Sequence, residues 1–526
     1  MSARLERRVR AGAGARRAIA AACAVAGLTV TCAAAAGGFG FGDVIARARA
    51  LAVRPYQAPK PIPAFLRKLR FEEYQGIRFD PDKSLWNGSR FQVMLVSPGL
   101  YYTHAVKIRI VDASGIHAVP YRKDDFTFAD PALKKRIPPN LGYAGFKLTY
   151  PLNGPHAHNQ FLVFAGASYF RGVGRNNVFG LSARGVAVDT GLPSGERFPS
   201  FTEFWLVRPK PDAHAMTLYA LLDGKDLAGA YRFVVYPGDP TTLQVSAVLF
   251  PRKSIPLLGV APLTSMFFYG SNTPRPSGEW RPQVHDSDGL LIHNGSTGEW
   301  LWRPLRNPKE LQMYYFETDD VAGFGLLQRD TRFSSYEDAG ALYGERPSAW
   351  VRPGGKWGKG HVVLVELPTG DETNDNIVAF WAPQSPPPPG RPLRLSYTLS
   401  FGGPDVPAEP MGRAAATFVG NGAIVGGGSV KGAYRLVVDF AGGPLAGLPP
   451  DAPVTGVVSA QDGGEVLEHY VEYVKPAHRW RLSVLAKPAP GRPLALRAYL
   501  RDGKRTLTET WSYELPPGND IVPEGG

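Results

Sequence analysis

Cysteine is nearly absent. Only Cys23 and Cys32 carry a thiol among 526 residues, and both fall inside what reads as a removable leader. The mature chain is therefore expected to have no disulfide, no thiolate nucleophile and no cysteine-ligated metal. Its stability must come from a large core, which a chain this long can build. Long apolar runs are lacking as well: the stretch Ala18 to Val30 falls short of the roughly 20 residues a membrane span needs. No Lys/Arg cluster of the kind that tracks a phosphate backbone occurs, which disfavours nucleic acid as a partner. There is no His-x-x-x-His pair, no nucleophile elbow and no Walker loop. Gly172-Val173-Gly174 lacks the βαβ setting that would give it meaning, and 10 histidines are spread thinly. No metal and no cofactor are expected.

The amino end carries its own signal. Arg4, Arg7, Arg8, Arg10, Arg16 and Arg17 precede the apolar run, and Cys32 and the alanines Ala33 to Ala36 follow it. A positive start, a short apolar stretch and a small-residue exit are the parts of a secretory signal. Residues 1–36 are read as a cleaved leader, in preference to a membrane anchor. Arg16-Arg17 is a weak match to a twin-arginine signal, and Thr29-Val30-Thr31 before Cys32 makes a poor lipoprotein site. Removing six arginines and Glu6 lowers the formal charge from +13 to about +8, a mild bias for the mature chain.

Strand signals dominate the rest. From Gly42 to Leu69 the chain reads as a helical or irregular lead-in, with Asp43 as the N-cap of Val44 to Leu51. Phe91 to Val96, Val106 to Val111, Gln160 to Phe164, Tyr231 to Tyr236, Thr242 to Phe250 and His361 to Leu367 are β-branched and aromatic runs separated by turn residues. With 60 Gly and 49 Pro long helices have little room, and no sustained 3.6-residue period is found. The fold class is all-β. The run Ser385 to Gly390 reads as a stiff extended linker. It sets a division into a large β-sandwich over 37–384, a linker over 385–392 and a small domain over 393–520. In the last, Leu393 to Phe401, Tyr434 to Phe440, Trp480 to Leu485 and a hairpin at Asp502-Gly503 suggest an immunoglobulin-like sandwich.

Aromatics interleave with carboxylates in the large domain. His285-Asp286-Ser287-Asp288 leads to Glu299-Trp300-Leu301-Trp302-Arg303. Asp371-Glu372-Thr373-Asn374-Asp375-Asn376 leads to Phe380-Trp381. Sugar rings stack on tryptophan and tyrosine and offer hydroxyls to Asp, Asn and Arg. A glycoside hydrolase needs one carboxyl to protonate the leaving oxygen and a second to activate water. The same residues also fit ordinary turn chemistry, and Trp300 and Trp302, two apart on a strand, would share one face as core residues do. Tyr169-Phe170-Arg171, Leu181-Ser182-Ala183-Arg184 and Glu203-Phe204-Trp205 place arginine or glutamate beside aromatics, a pattern that structural pairing explains equally well.

At these segments the chain resembles the periplasmic glucans biosynthesis family (the OpgG/MdoG and OpgD type). The likeness is carried by Gly166-Ala167-Ser168-Tyr169-Phe170-Arg171, Phe179 to Gly185, Leu192 to Glu196, Phe204 to Pro211 and Gly259 to Met266. It continues through His285-Asp286-Ser287, Gly298-Glu299-Trp300, Gly323 to Arg329, Arg346 to Trp350, Asp371 to Trp381 and, more loosely, Glu509 to Tyr513. The resemblance implies a galactose-mutarotase-like β-sandwich followed by an immunoglobulin-like domain. It also implies a periplasmic role in making glucans with a β-1,2-linked backbone. Some members of the OpgD type are inverting endo-β-1,2-glucanases, which implies Asp375 as general acid and Asp286 as general base. Tyr343 and Glu372 fall near the family's cleft. Trp300, Trp302, Arg184 and Tyr169 are the further candidates for contacting sugar. Burial, with Glu372 and Asp371 nearby, is expected to raise the pKa of Asp375.

Two roles compete. One is a hydrolase that trims β-1,2-glucan; the other is a non-catalytic glucan-binding partner of a membrane glucosyltransferase. A mutarotase or lyase is suggested by fold analogy alone, a poor guide to chemistry.

Overall fold

The computed structural model describes residues 38–461 and 463–517. The leader expected over 1–36, with both cysteines, lies outside the described residues. Strands account for most of the regular structure, and the protein is all-β. Two large sheets, one of ten strands and one of fifteen, face each other across a core that includes Phe146, Phe164, Phe170, Phe204, Phe233, Leu263 and Trp381. Every long run expected from β-branched and aromatic content forms: Gln92–Val96, Lys107–Asp112, Asn159–Ala165, Leu227–Tyr236, Thr241–Pro251 and Gly360–Glu366. Several, such as Leu258–Ser265, are buried along their whole length, so their sequences run apolar instead of alternating.

The helix Phe41–Ala52 packs Val44 and Ala48 onto Trp205, Leu221, Val248 and Phe250, covering the outer face of the fifteen-stranded sheet. Its start differs from expectation. Gly40 is the N-cap, and Asp43 lies at the third helical position, accepting from the Gly40 N–H at 2.8 Å. A carboxylate reaching back from that position satisfies one of the free donors at the helix start.

The proline run also plays a different part. Strand Ile377–Pro383 before it lies in the ten-stranded sheet. Strand Leu393–Gly402 after it lies in the fifteen-stranded sheet, between Thr241–Pro251 and Ser348–Pro353. The segment 385–392 therefore crosses from one layer of the large sandwich to the other, and residues 393–402 belong to that sandwich. Extended proline-rich chain has the same stiffness in either role, so composition could not separate them.

The strands unique to the tail begin at Arg413. Arg413–Ala423, Ser429–Ala441, Arg479–Pro488 and Gly464–Val474 form a four-stranded sheet. Val454–Gln461, Leu494–Asp502 and Thr510–Leu515 extend the large sheet, joined by parallel pairing of Thr510 and Trp511 with Leu301 and Trp302. A second core lies between these layers, with Leu436, Val438, Leu482, Leu496, Trp511 and also Trp302. Gly289, at the start of strand Gly289–Asn294, lies flush against the Trp302 ring, where a Cβ would collide with the indole. Gly289→Ala is expected to destabilise the protein by about 1–3 kcal/mol through overpacking, read as a lowered urea midpoint.

Candidate functional site

Alternation along one short strand starts the site. In Tyr169–Gly172, Phe170 points into the main core, so Tyr169 and Arg171 occupy the face of the ten-stranded sheet turned away from it. The next strand, Ser182–Arg184, repeats the pattern, with Ala183 inward and Ser182 and Arg184 outward. Arg171 Nε donates to Ser182 Oγ at 2.7 Å. Arg184 is buried, donates to Thr264 Oγ1 at 2.7 Å, pairs with Glu196 and lies 4.7 Å from the centre of the Tyr169 ring. Burial pushes the Tyr169 phenol up to about 12, opposed by Arg184 and reinforced by Glu196 and Asp375.

Asp286 directly follows the two-residue strand Val284–His285. Its N–H donates to the Met266 carbonyl at 2.8 Å, and Ser287 bonds Ser265 at 2.8 Å. The carboxylate is 3 % exposed as a residue and ion-paired with Arg346. Burial raises its pKa; Arg346 opposes this, Asp375 adds to it and Arg171 opposes it again. The charges of Asp375 and Arg171 are thus both felt at Asp286. Two carboxylates and two guanidiniums share one site.

Asp375 lies just before strand Ile377–Pro383. Its side chain is 30 % exposed, with Oδ2 at 3.6 Å from Arg171 Nη2. The burial expected of Asp375 is not found there, whereas Asp286 is buried. Nor do the neighbouring acids turn toward Asp375. Asp371 accepts from Thr373 within its own turn, at 2.8 Å from N and 2.6 Å from Oγ1. Glu372 pairs with Arg281 at 2.6 Å, and Arg281 also binds Glu279 and Asp338.

Two side-chain amides tie together the segments that carry the aspartates. The buried amide of Asn376 accepts from Phe267 N at 2.8 Å, and donates to Phe267 O and Leu367 O, both at 3.0 Å. Phe267 pairs with His285 in a two-stranded sheet. One side chain therefore ties the residue after Asp375 to the strand that carries Asp286. Gln328 does similar work, donating to His285 O at 2.9 Å and Tyr343 O at 3.0 Å. Tyr343 is buried beneath Arg346, whose guanidinium lies 4.3 Å from its ring centre. Burial first, and then Glu372 and Asp286, hold its phenol well above the usual range. Among the described residues no group of three or more His, Cys, Asp or Glu side chains is arranged to hold a metal ion.

Six of the eight candidates thus gather here: Asp286, Asp375, Tyr343 and Tyr169 in the cluster, with Arg184 backing Tyr169 and Glu372 at its margin. The two tryptophans do not. Trp300 stacks on His293 at 4.1 Å and 7°, and lies 5.8 Å from Trp350. Trp302 is buried in the second core under the Arg329 guanidinium, 3.6 Å away. Facing the tail strands, both are packing residues. Arg171, Arg346, Asn376 and Gln328 are the site residues that sequence reasoning missed. All four lie within the segments that carry the family resemblance, but neither spacing nor composition distinguishes them.

Residues 39–515 match the family model described as "Periplasmic glucan biosynthesis protein, MdoG". "Glucans biosynthesis protein G" of Ralstonia nicotianae is 45% identical over 487 residues, covering 90% of this chain and 95% of the relative. The protein of the same description from Dickeya dadantii is 45% identical over 486 residues, covering 90% and 92%. Among solved structures, a galactose mutarotase related enzyme from Lactobacillus acidophilus aligns over 50% of this chain and 92% of its own, at 9% identity and a TM-score of 0.20, too low to bear on the fold.

Proposed function

This chain belongs to the periplasmic glucan biosynthesis family, MdoG, and from that premise we propose that it binds a β-1,2-linked glucan in the periplasm and hydrolyses it with inversion. The observation that carries the reading is the proximity of Asp286 to Asp375: the charges of Asp375 and of its partner Arg171 both act on the buried Asp286 carboxyl. In this reading Asp286 is the general base. Burial raises its affinity for a proton, while Arg346 orients the carboxylate and opposes that rise. Asp375, at the more open edge, is the general acid. A bound sugar chain excludes water from it, and the leaving oxygen takes its proton. An inverting couple needs room for the attacking water, with carboxyls roughly 6.5–9.5 Å apart, or further when protons pass through intervening hydroxyls. Tyr343, between Arg346 and Glu372, lines the route by which that water's proton reaches Asp286.

A second reading has its own support. Each aspartate has an arginine partner, as side chains that only bind hydroxyls would. The chain would then receive glucan from a membrane glucosyltransferase without cutting it. Incubation of the mature protein with linear β-1,2-glucan separates the two. Hydrolysis releases new reducing ends, with the α-anomer appearing first from a β-linkage when the mechanism inverts. Unchanged chain length after prolonged incubation removes the hydrolase. Export by a leader over residues 1–36 belongs to the same proposal, and so do the galactose-mutarotase-like and immunoglobulin-like descriptions of the two sandwiches.

A further inference from the structure

The outward face of the ten-stranded sheet continues beyond the aspartates. Strand Gly145–Tyr150 buries Phe146 and Leu148 in the main core, so Lys147 between them stands on the same outward face as Arg171. The register makes this a row. Met94 lies opposite Lys147, Lys147 opposite Val163, and Val163 opposite Arg171. Two strand spacings, about 10 Å, separate the backbones of Lys147 and Arg171.

Lys147 is half-buried, and burial pushes its pKa down. Its Nζ donates to Gln160 Oε1 at 3.0 Å, and among the described residues no carboxylate pairs with it. Among the described residues the Gln160 amide nitrogen reaches only the Met94 sulfur, at 3.7 Å, a weak acceptor. A lysine withdrawn from water without a counter-ion is costly, and an ammonium brings three donors of which one is used. Such a pair keeps donors to spare and is suited to a ligand rich in oxygen acceptors. Its place in the row sets that ligand about 10 Å along the sheet from Arg171, the partner of Asp375.

We propose that Lys147 and Gln160 form a remote subsite that holds the hydroxyls of a glucan unit beyond the one being cut, so that the chain crosses the outward face from Asp375 over Arg171 to Lys147. This rests on the glucan reading above. The subsite adds affinity only for chains long enough to reach it.

Calorimetric titration in an Asp375→Asn background, so that the chain is not cut, tests this with neutral linear β-1,2-glucan and with its trisaccharide. Lys147→Met and Gln160→Ala are each expected to weaken the long chain by about 10-fold or more, as loss of a charge-assisted bond does, and to leave the trisaccharide within about 2-fold. Methionine retains the stem of Lys147, so the thermal midpoint should hold or rise, and Gln160→Ala provides an independent reading. Equal affinity of the background protein and both variants for the long chain overturns the subsite. A background protein that binds neither chain overturns the glucan reading itself.

Discussion

Asp375→Asn is expected to lower the release of reducing ends from linear β-1,2-glucan by about 10²–10⁴-fold, the usual worth of a positioned acid. Asparagine keeps the size of the side chain beside Arg171, 3.6 Å from the carboxylate it replaces, but it has no acidic proton to give to a leaving oxygen. Binding should therefore survive while turnover is lost, a loss realised only in the transition state. The pH profile of kcat/KM gives a second view. A general base works only when ionised, and burial raises the pKa of Asp286. The acidic limb should consequently lie above the ordinary carboxylate range and disappear in Asp286→Asn along with activity. If Asp375→Asn cleaves at the parent's rate, the acid assignment is wrong.

Strands were legible because their signals are local. Aromatic and β-branched runs such as Thr241–Pro251 form wherever turn residues bound them, and their ends fall within a few residues of expectation. Layer membership is decided by distant pairing, and that was not legible. Leu393–Gly402 follows a proline run that suggests a domain border, yet its register is fixed by Thr241–Pro251 and Ser348–Pro353 on either side. The same distinction holds at the site. Asp286 and Asp375 were found through resemblance, because two acidic turns about 90 residues apart do not state that they meet. Asn376 reads as one more turn residue until its amide is seen to bridge Phe267 and Leu367. Trp300 and Trp302 were the misleading signal. Two tryptophans beside acids fit a sugar platform, but their i, i+2 spacing gives them one face, and the tail core covers it.

Arg329→Met should be the most destabilising of the substitutions considered, by about 3–5 kcal/mol, because it strands buried charge. Arg329 is almost fully buried. It grips Glu509 through both terminal nitrogens, at 2.6 and 2.9 Å, and reaches Glu409 at 3.2 Å and the Ala414 carbonyl at 3.1 Å, all from the segment beyond the large sandwich. Its ring contact with Trp302 adds to the loss. Arg413 also approaches Glu409, at 3.5 Å, but burial and Glu509 outweigh both arginines there. Burial and the neighbouring Glu509 push Glu409 up to about 9, which favours its protonated form. Glu409→Gln copies that neutral form and should cost little. The sign of the pH effect follows. A carboxyl with a raised folded pKa stabilises fully at low pH, and that contribution is lost as pH climbs from about 4.5, the ordinary value, toward about 9. The parent's urea midpoint should fall across that window, and Glu409→Gln should flatten the fall. The backbone of the same arginine, with that of Asp330, donates to Asp288, two residues from Asp286. Loss of the Arg329 side chain should therefore loosen the base-bearing turn as well as the tail. Urea unfolding followed separately by tryptophan fluorescence and by far-UV dichroism measures the cost, and an Arg329→Met protein as stable as the parent would show that the tail is held by its apolar core alone.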